Sequence, residues 1–90
     1  MPTISAYDSF FRRYKKFLAL HPNLKKKILE KLALLKSEPY APVLRFHKLT
    51  GRLEEFYAIT IDYDYRIIID PDFDNDIFYL VDIGTHDEVY

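Results

Sequence analysis

The 90-residue chain contains no cysteine, which excludes disulfides and thiolate sites, whether catalytic or metal-binding. It also lacks any apolar run near the roughly 20 residues needed to span a bilayer, and its N-terminus has no signal-peptide apolar core. A soluble, cytoplasmic protein with no membrane association is expected. Basic residues almost vanish after residue 52: Arg66 is the only one against 11 acidic residues, a formal −10. Acidic residues are scarce before that point, 3 against 12 Lys and Arg, a formal +9. Two consequences stay open: the halves neutralise each other in the fold, or each presents its sign to a charged partner.

What is present is aromatic and β-branched. Eight Tyr and seven Phe supply large burial per residue. They suit the thin core of a chain this size, which buries about 60–65% of its unfolded surface. One domain spanning residues 1–90 is expected, with no repeat, low-complexity tract or linker to divide it.

Taken in order, residues Thr3 to Tyr7 alternate between Pro2 and Asp8, which predicts an edge strand. Asp8 or Ser9 then serves as an N-cap. Phe10, Phe11, Tyr14, Phe17 and Leu18 recur at helical spacing, with Arg12, Arg13, Lys15 and Lys16 between them. The pair His21-Pro22 closes this helix near Leu20 and opens the next. Leu24, Ile28, Leu32 and Leu35, widened by Leu29, mark the second helix, which ends at Ser37-Glu38-Pro39. Tyr40 to Gly51 reads as an irregular connector. Strands come next at Glu55 to Ile61, around Tyr65 to Ile69, and at Ile77 to Ile83, with a polar turn over Asp70 to Asp76. The economical architecture is α+β, in the order β-α-α-β-β-β, with an antiparallel meander packed on an N-terminal helical hairpin.

The acidic turn, Asp70-Pro71-Asp72-Phe73-Asp74-Asn75, opens like a calcium loop. It fails downstream, where Asn75 stands at the glycine position and Val81 at the bidentate glutamate. His21, His47 and His86 have no metal-ligand spacing, so neither a metal nor another cofactor is expected. His21, in a helix link, reads as surface. His47, His86 and Arg66 together form a set suited to RNA cleavage by the 2′-hydroxyl. One imidazole takes a proton, another gives one, and a guanidinium holds the phosphate. The alternative for Arg66 is an ion pair with Asp82 across the sheet.

The element order, the YRIIID strand, His47 before Leu49-Thr50-Gly51, Gly84-Thr85-His86 and the ending Glu88-Val89-Tyr90 resemble the RelE/ParE superfamily of type II toxin–antitoxin toxins. Within it the chain is most similar to the RelE/YafQ mRNA interferases. The resemblance implies a RelE-like fold and a metal-independent endoribonuclease that cuts messenger RNA on the ribosome. It implies catalytic roles for His86, Arg66, His47, Tyr90 and Asp64. Lys25, Lys26, Arg12, Arg13, Lys48 and Arg52 would then bind RNA or the ribosome. The implied partners are the ribosome with its messenger and a cognate antitoxin, the toxin being a monomer or part of a hetero-oligomer with that antitoxin. The acidic half predicts basic residues in the antitoxin segment. The chain departs from the pattern at Ala58 and Thr60, where RelE-type enzymes carry lysines and the YafQ branch has a histidine at the second position. It departs again at Ile83, where that branch has arginine. Two other classes fit the same fold: a ParE-like inhibitor of DNA gyrase that cuts no RNA, and a catalytically lapsed module kept for antitoxin binding.

Overall fold

The computed structural model describes residues 1–85 and residue 89. Strand β1 (Thr3–Ala6) leads into helix α1 (Asp8–Leu20), a 3-10 turn (Pro22–Leu24) and helix α2 (Lys25–Ser37). Strands β2 (His47–Lys48), β3 (Tyr57–Thr60), β4 (Tyr65–Asp72) and β5 (Ile77–Thr85) complete the chain order. They form one five-stranded sheet in the order β1-β5-β4-β3-β2. Strands β2 to β5 are antiparallel neighbours, and β1 joins the far edge parallel to β5, after the two helices have carried the chain across the sheet. The expected α+β order stands, with β1 as the edge strand.

Helix α1 starts one residue earlier than a cap at Asp8 or Ser9 allows. Tyr7 is its N-cap and makes no side-chain capping bond, while Asp8 lies in the first turn, where its charge favours the positive end of the helix dipole. Phe10 and Phe17 bury against the sheet, but Phe11 faces solvent, as does Leu29 on α2. The stripe on each helix is therefore narrower than the spacing alone suggests. The helix ends because Pro22 removes helical freedom from His21, whose N–H bonds back to the Phe17 carbonyl. His21 is not mere surface: its ring packs 4.7 Å from both Phe17 and Tyr65.

The main core joins Phe10, Phe17, Ile28 and Leu35 of the helices to Ile59, Ile67, Ile69, Phe78, Leu80 and Ile83 of the sheet. Alternation along β4 sends Tyr65, Ile67 and Ile69 to this side and Arg66, Ile68 and Asp70 to the other. The second face is not simply wet. Leu49, Ala58 and Ile68 form a small buried cluster there, with Leu53, Phe56, Val81 and Val89 packed on it.

Two further features depart from the sequence reading. The connector contains β2, where His47 pairs with Ala58 and Lys48 with Tyr57. Strand β5 carries a bulge: Ile68 opposes Asp82 while Ile69 opposes Leu80, leaving Val81 unpaired. Simple alternation puts Asp82 beside Arg66. Next to the bulge, Asp82 instead bonds Nε of Arg13 on α1 at 2.8 Å. Asp82 is thus a partner of the helix.

At the opposite end of β4 from Arg66, the polar turn is closed by Asp72. Its carboxylate accepts bonds from the Asn75 backbone N–H (3.1 Å) and side-chain amide (2.8 Å), which hold it below the ordinary carboxylate value. Beside it the Tyr7 hydroxyl donates to Asp70. Among the described residues no helix is long and apolar enough to cross a membrane, and no group of three or more His, Cys, Asp or Glu is placed to hold a metal.

A cationic cavity on the second face of the sheet

The chain leaves α2 through a 3-10 turn (Pro42–Leu44) and reverses at Arg45, whose φ of 52° lies in the left-handed region. A non-glycine residue rarely adopts that conformation. The reversal delivers His47 to the edge of β3, with its Nδ1 2.6 Å from the Arg45 carbonyl oxygen. A carbonyl can only accept, so Nδ1 carries the hydrogen and donates. The neutral ring then has its lone pair on Nε2, the form a general base requires.

Beyond β2 the chain turns again at Gly51, whose φ of 73° suits glycine and strains any other residue. This places the short 3-10 turn Gly51–Leu53, and Arg52 with it, over the second face. Arg66 reaches the same face from β4, between Thr60 of β3 and Gly84 of β5, and Gly84 offers no side chain to crowd it.

These pieces enclose a cavity of about 400 Å³ lined by His47, Lys48, Leu49, Thr50, Arg52, Leu53 and Arg66. None of these lining residues is acidic. Leu49 ties the floor to the buried cluster with Ala58 and Ile68, so the wall bearing the cations rests on packed apolar side chains. Three cations and an oriented imidazole in one concavity have the chemistry to meet a polyanion, and a guanidinium fork suits a phosphate.

The structure brings together His47, Lys48, Arg52 and Arg66 of the residues singled out from the sequence. Of the other described candidates, it brings none there. Asp64 is exposed in the turn between β3 and β4 and does not line the cavity. Arg12 and Arg13 belong to α1, and Lys25 and Lys26 border an apolar hollow on the outer side of α2 with Leu29. His86 and Tyr90 lie outside the described residues. The chain leaves β5 at Thr85, opposite Tyr65, and is next described at Val89, packed on the second-face cluster.

Leu49, Thr50 and Leu53 are lining residues that sequence reasoning did not single out, although the Leu49-Thr50-Gly51 turn was visible. The missing strand lysine has a physical counterpart. Ala58 is fully buried in the second cluster, where an ammonium would lose its hydration. The positive charge comes from the connector instead, through Lys48 and Arg52.

No protein-family model matches the chain, and no curated protein sequence is significantly similar to it. Solved structures do match. YafQ from E. coli superposes with a TM-score of 0.81 at 16% identity, over 100% of this chain and 99% of that one. In complex with DinJ it gives 0.80 at 17%, with the same coverage. YoeB in the YoeB–YefM complex from Staphylococcus aureus gives 0.72 at 21%, over 96% of this chain and 98% of that one. A metal-bound toxin from Helicobacter pylori gives 0.74 at 25%, over the whole of both chains. The chain has the fold of the RelE/YafQ-like toxins.

Proposed function

We propose that residues 1–90 act as the toxin of a type II toxin–antitoxin pair, an endoribonuclease that cuts messenger RNA on the ribosome in the cytoplasm. The observation that carries this reading is the cavity itself. His47 and Arg66, from different strands, line one concavity with Lys48 and Arg52, and none of the described lining residues is acidic. The fold shared with YafQ and YoeB supports it, and their complexes with DinJ and YefM support a cognate antitoxin as partner.

In this mechanism Nε2 of His47 accepts the proton of a 2′-hydroxyl. The 2′-oxygen bonds to the adjacent phosphorus and the bond from phosphorus to the 5′-oxygen breaks. The leaving oxygen takes a proton from an acid, the role assigned to His86, leaving a 2′,3′-cyclic phosphate and a free 5′-hydroxyl. Arg66 balances the charge that builds on the non-bridging oxygens, and Lys48 and Arg52 hold the flanking phosphates. Tyr90 supplies a ring or a hydroxyl to the same reaction. Asp64 has no place in the cavity and is left without a catalytic role. Lys25, Lys26 and Arg12, outside it, are assigned to ribosomal RNA.

The ribosome has a defined task here. One oriented base and one fork of donors do not align a flexible strand for in-line attack, and such positioning is worth about 7–11 kcal/mol. The test is growth and translation on induction, then primer extension on ribosome-bound messenger. Translation stops, cuts appear within the messenger, and co-expression of the antitoxin reverses both. Arrest with intact messenger and damaged DNA would replace this reading with gyrase inhibition, and no arrest at all would leave the lapsed module.

A further inference from the structure

Tyr65 and Arg66 are consecutive on β4 and point to opposite faces of the same sheet end. Arg66 lines the cationic cavity. Tyr65 packs edge-on to Phe17 at 5.1 Å and lies 4.7 Å from the ring of His21. Beside this aromatic group a second, smaller pocket of about 160 Å³ opens at the C-terminal end of α1, lined by Arg13, Lys16, Phe17, Leu20, His21 and Ile83. Its composition is unusual for a plain surface hollow. Two cations share its lining with rings and aliphatic side chains, and Leu20 is 77% exposed, an apolar side chain that folding leaves in water.

We infer that this pocket is a second nucleotide subsite for the RNA strand held in the first cavity. A base of the strand packs on His21 and Leu20, the His21 ring resting on the buried Phe17, and the phosphate next to it pairs with Lys16. The inference rests on the RNA-binding reading of the first cavity. Stacking needs only a flat polarisable surface and accepts any base, so this subsite adds affinity and direction without reading sequence. Arg13 is committed through Nε to Asp82, whose carboxylate offsets its charge, so Lys16 is the principal phosphate ligand. The carbonyl end of α1 repels an anion with about half an elementary charge, less than the full charge of Lys16 alone. The strand passes over the end of the sheet where β4 begins and β5 finishes, between the Tyr65 side and the Arg66 side.

The experiment is equilibrium binding of the full chain to labelled RNA at low salt without ribosomes, with 2′-O-methyl groups blocking cleavage. A trinucleotide spans only one pocket, and a longer oligonucleotide spans both. Lys16→Ala and His21→Ala each weaken the longer oligonucleotide about tenfold and leave the trinucleotide unchanged. Lys16→Ala also lowers the slope of log affinity against log salt for the longer strand by about 0.7. Lys16 is exposed, so that variant folds even if His21→Ala disturbs the packing of Tyr65. The NMR signals of the His21 ring in the unmodified chain move with the longer strand and not with the shorter. If Arg66→Ala weakens both oligonucleotides while Lys16→Ala and His21→Ala change neither, the second subsite is wrong and the first cavity stands. If Arg66→Ala weakens neither, or the unmodified chain binds neither, the RNA-binding reading falls and takes the subsite with it.

Discussion

Nδ1 of His47 donates to the carbonyl oxygen of Arg45, two residues earlier, across 2.6 Å. The bond fixes the tautomer of an exposed imidazole through its own backbone, with Arg45 in the left-handed conformation that the reversal into β2 requires. The lone pair on Nε2 is therefore a property of the local chain path.

His47→Ala removes the proposed base without removing packing, because the side chain is exposed. Cleavage of ribosome-bound messenger falls by about 10²–10⁴-fold, the usual contribution of general base catalysis, while circular dichroism and antitoxin binding stay as they were. His47→Ala cutting at the unmodified rate would remove His47 from the mechanism. Primer extension with single-turnover timing makes the measurement.

Ala58→Lys restores the cation that RelE-type enzymes carry at this strand position, and here it is harmful. Ala58 is 0% exposed beside its strand partner Ile68 and clustered with Leu49, so the added chain overpacks the cluster and its ammonium loses its hydration. Unfolding in urea shows a loss of more than about 2 kcal/mol. Thr60→Lys, half-buried directly opposite Arg66, is tolerated and adds a phosphate contact, steepening the salt dependence of RNA binding by about 0.7.

Tyr7 reports on the other end of the sheet. Its hydrogen bond to Asp70, with some burial, pushes the phenol up from 10.0 to about 12. The folded state therefore holds this proton more tightly than the unfolded chain. The stability it contributes is whole below pH 10 and is lost as pH rises through about 12. In ultraviolet titration of tyrosinate the Tyr7 phenol is late, as is that of Tyr14, which burial raises. Asp70→Asn returns only the Tyr7 phenol toward 10 and removes that part of the alkaline stability loss. RNA cleavage at neutral pH is unchanged in Asp70→Asn, since Asp70 does not line the cavity.

The fold was legible where periodicity is long. Thirteen-residue helices and a strand reading YRIIID declare themselves, because burial on one side repeats several times within each. β2 was hidden, since two residues carry no period and its pairing depends on β3, distant in sequence. The bulge at Val81 was equally silent. An extra residue leaves composition unchanged but shifts the register against β4, so neither the pairing of Ile69 with Leu80 nor the bond of Asp82 to Arg13 was readable from alternation. The second cluster had a signal that was underread: Ala58, Ile68 and Val81 are apolar at positions an exposed face would fill with polar residues. Of the candidate site, His47 and Arg66 were readable from residue chemistry and resemblance. That Lys48 and Arg52 share their cavity depends on the turns at Arg45 and Gly51, whose geometry emerges only when the connector is docked.

The Arg13–Asp82 bridge links α1 to the bulge, yet its side chains are 44% and 27% exposed. Partial exposure leaves water to compete for both charges, so a double-mutant cycle of Arg13→Ala and Asp82→Ala returns a coupling of at most about 1 kcal/mol, smaller at high salt. A coupling several times larger would mean that the bridge also fixes the bulge.

Arg66 separates charge from geometry. Its strand position is set by packed neighbours, Ile67 and Ile68, both buried, so Arg66→Ala leaves the sheet intact and removes the donors proposed for the phosphate. Losing one such donor costs about 3–4 kcal/mol of transition-state stabilisation, a fall in cleavage of 10²–10³-fold. Arg66→Lys keeps the charge and loses the planar fork. Binding of uncleavable RNA, governed by counterion release, is then nearly retained in Arg66→Lys, while its cleavage rate stays close to that of Arg66→Ala. If Arg66→Lys instead recovers most of the rate, Arg66 acts as a point charge that gathers the strand, and the fork has no part in the chemical step. A double variant with His47→Ala sharpens the distinction. Groups that act on one transition state lose less together than the product of their separate losses, whereas a charge that only recruits RNA adds its effect independently.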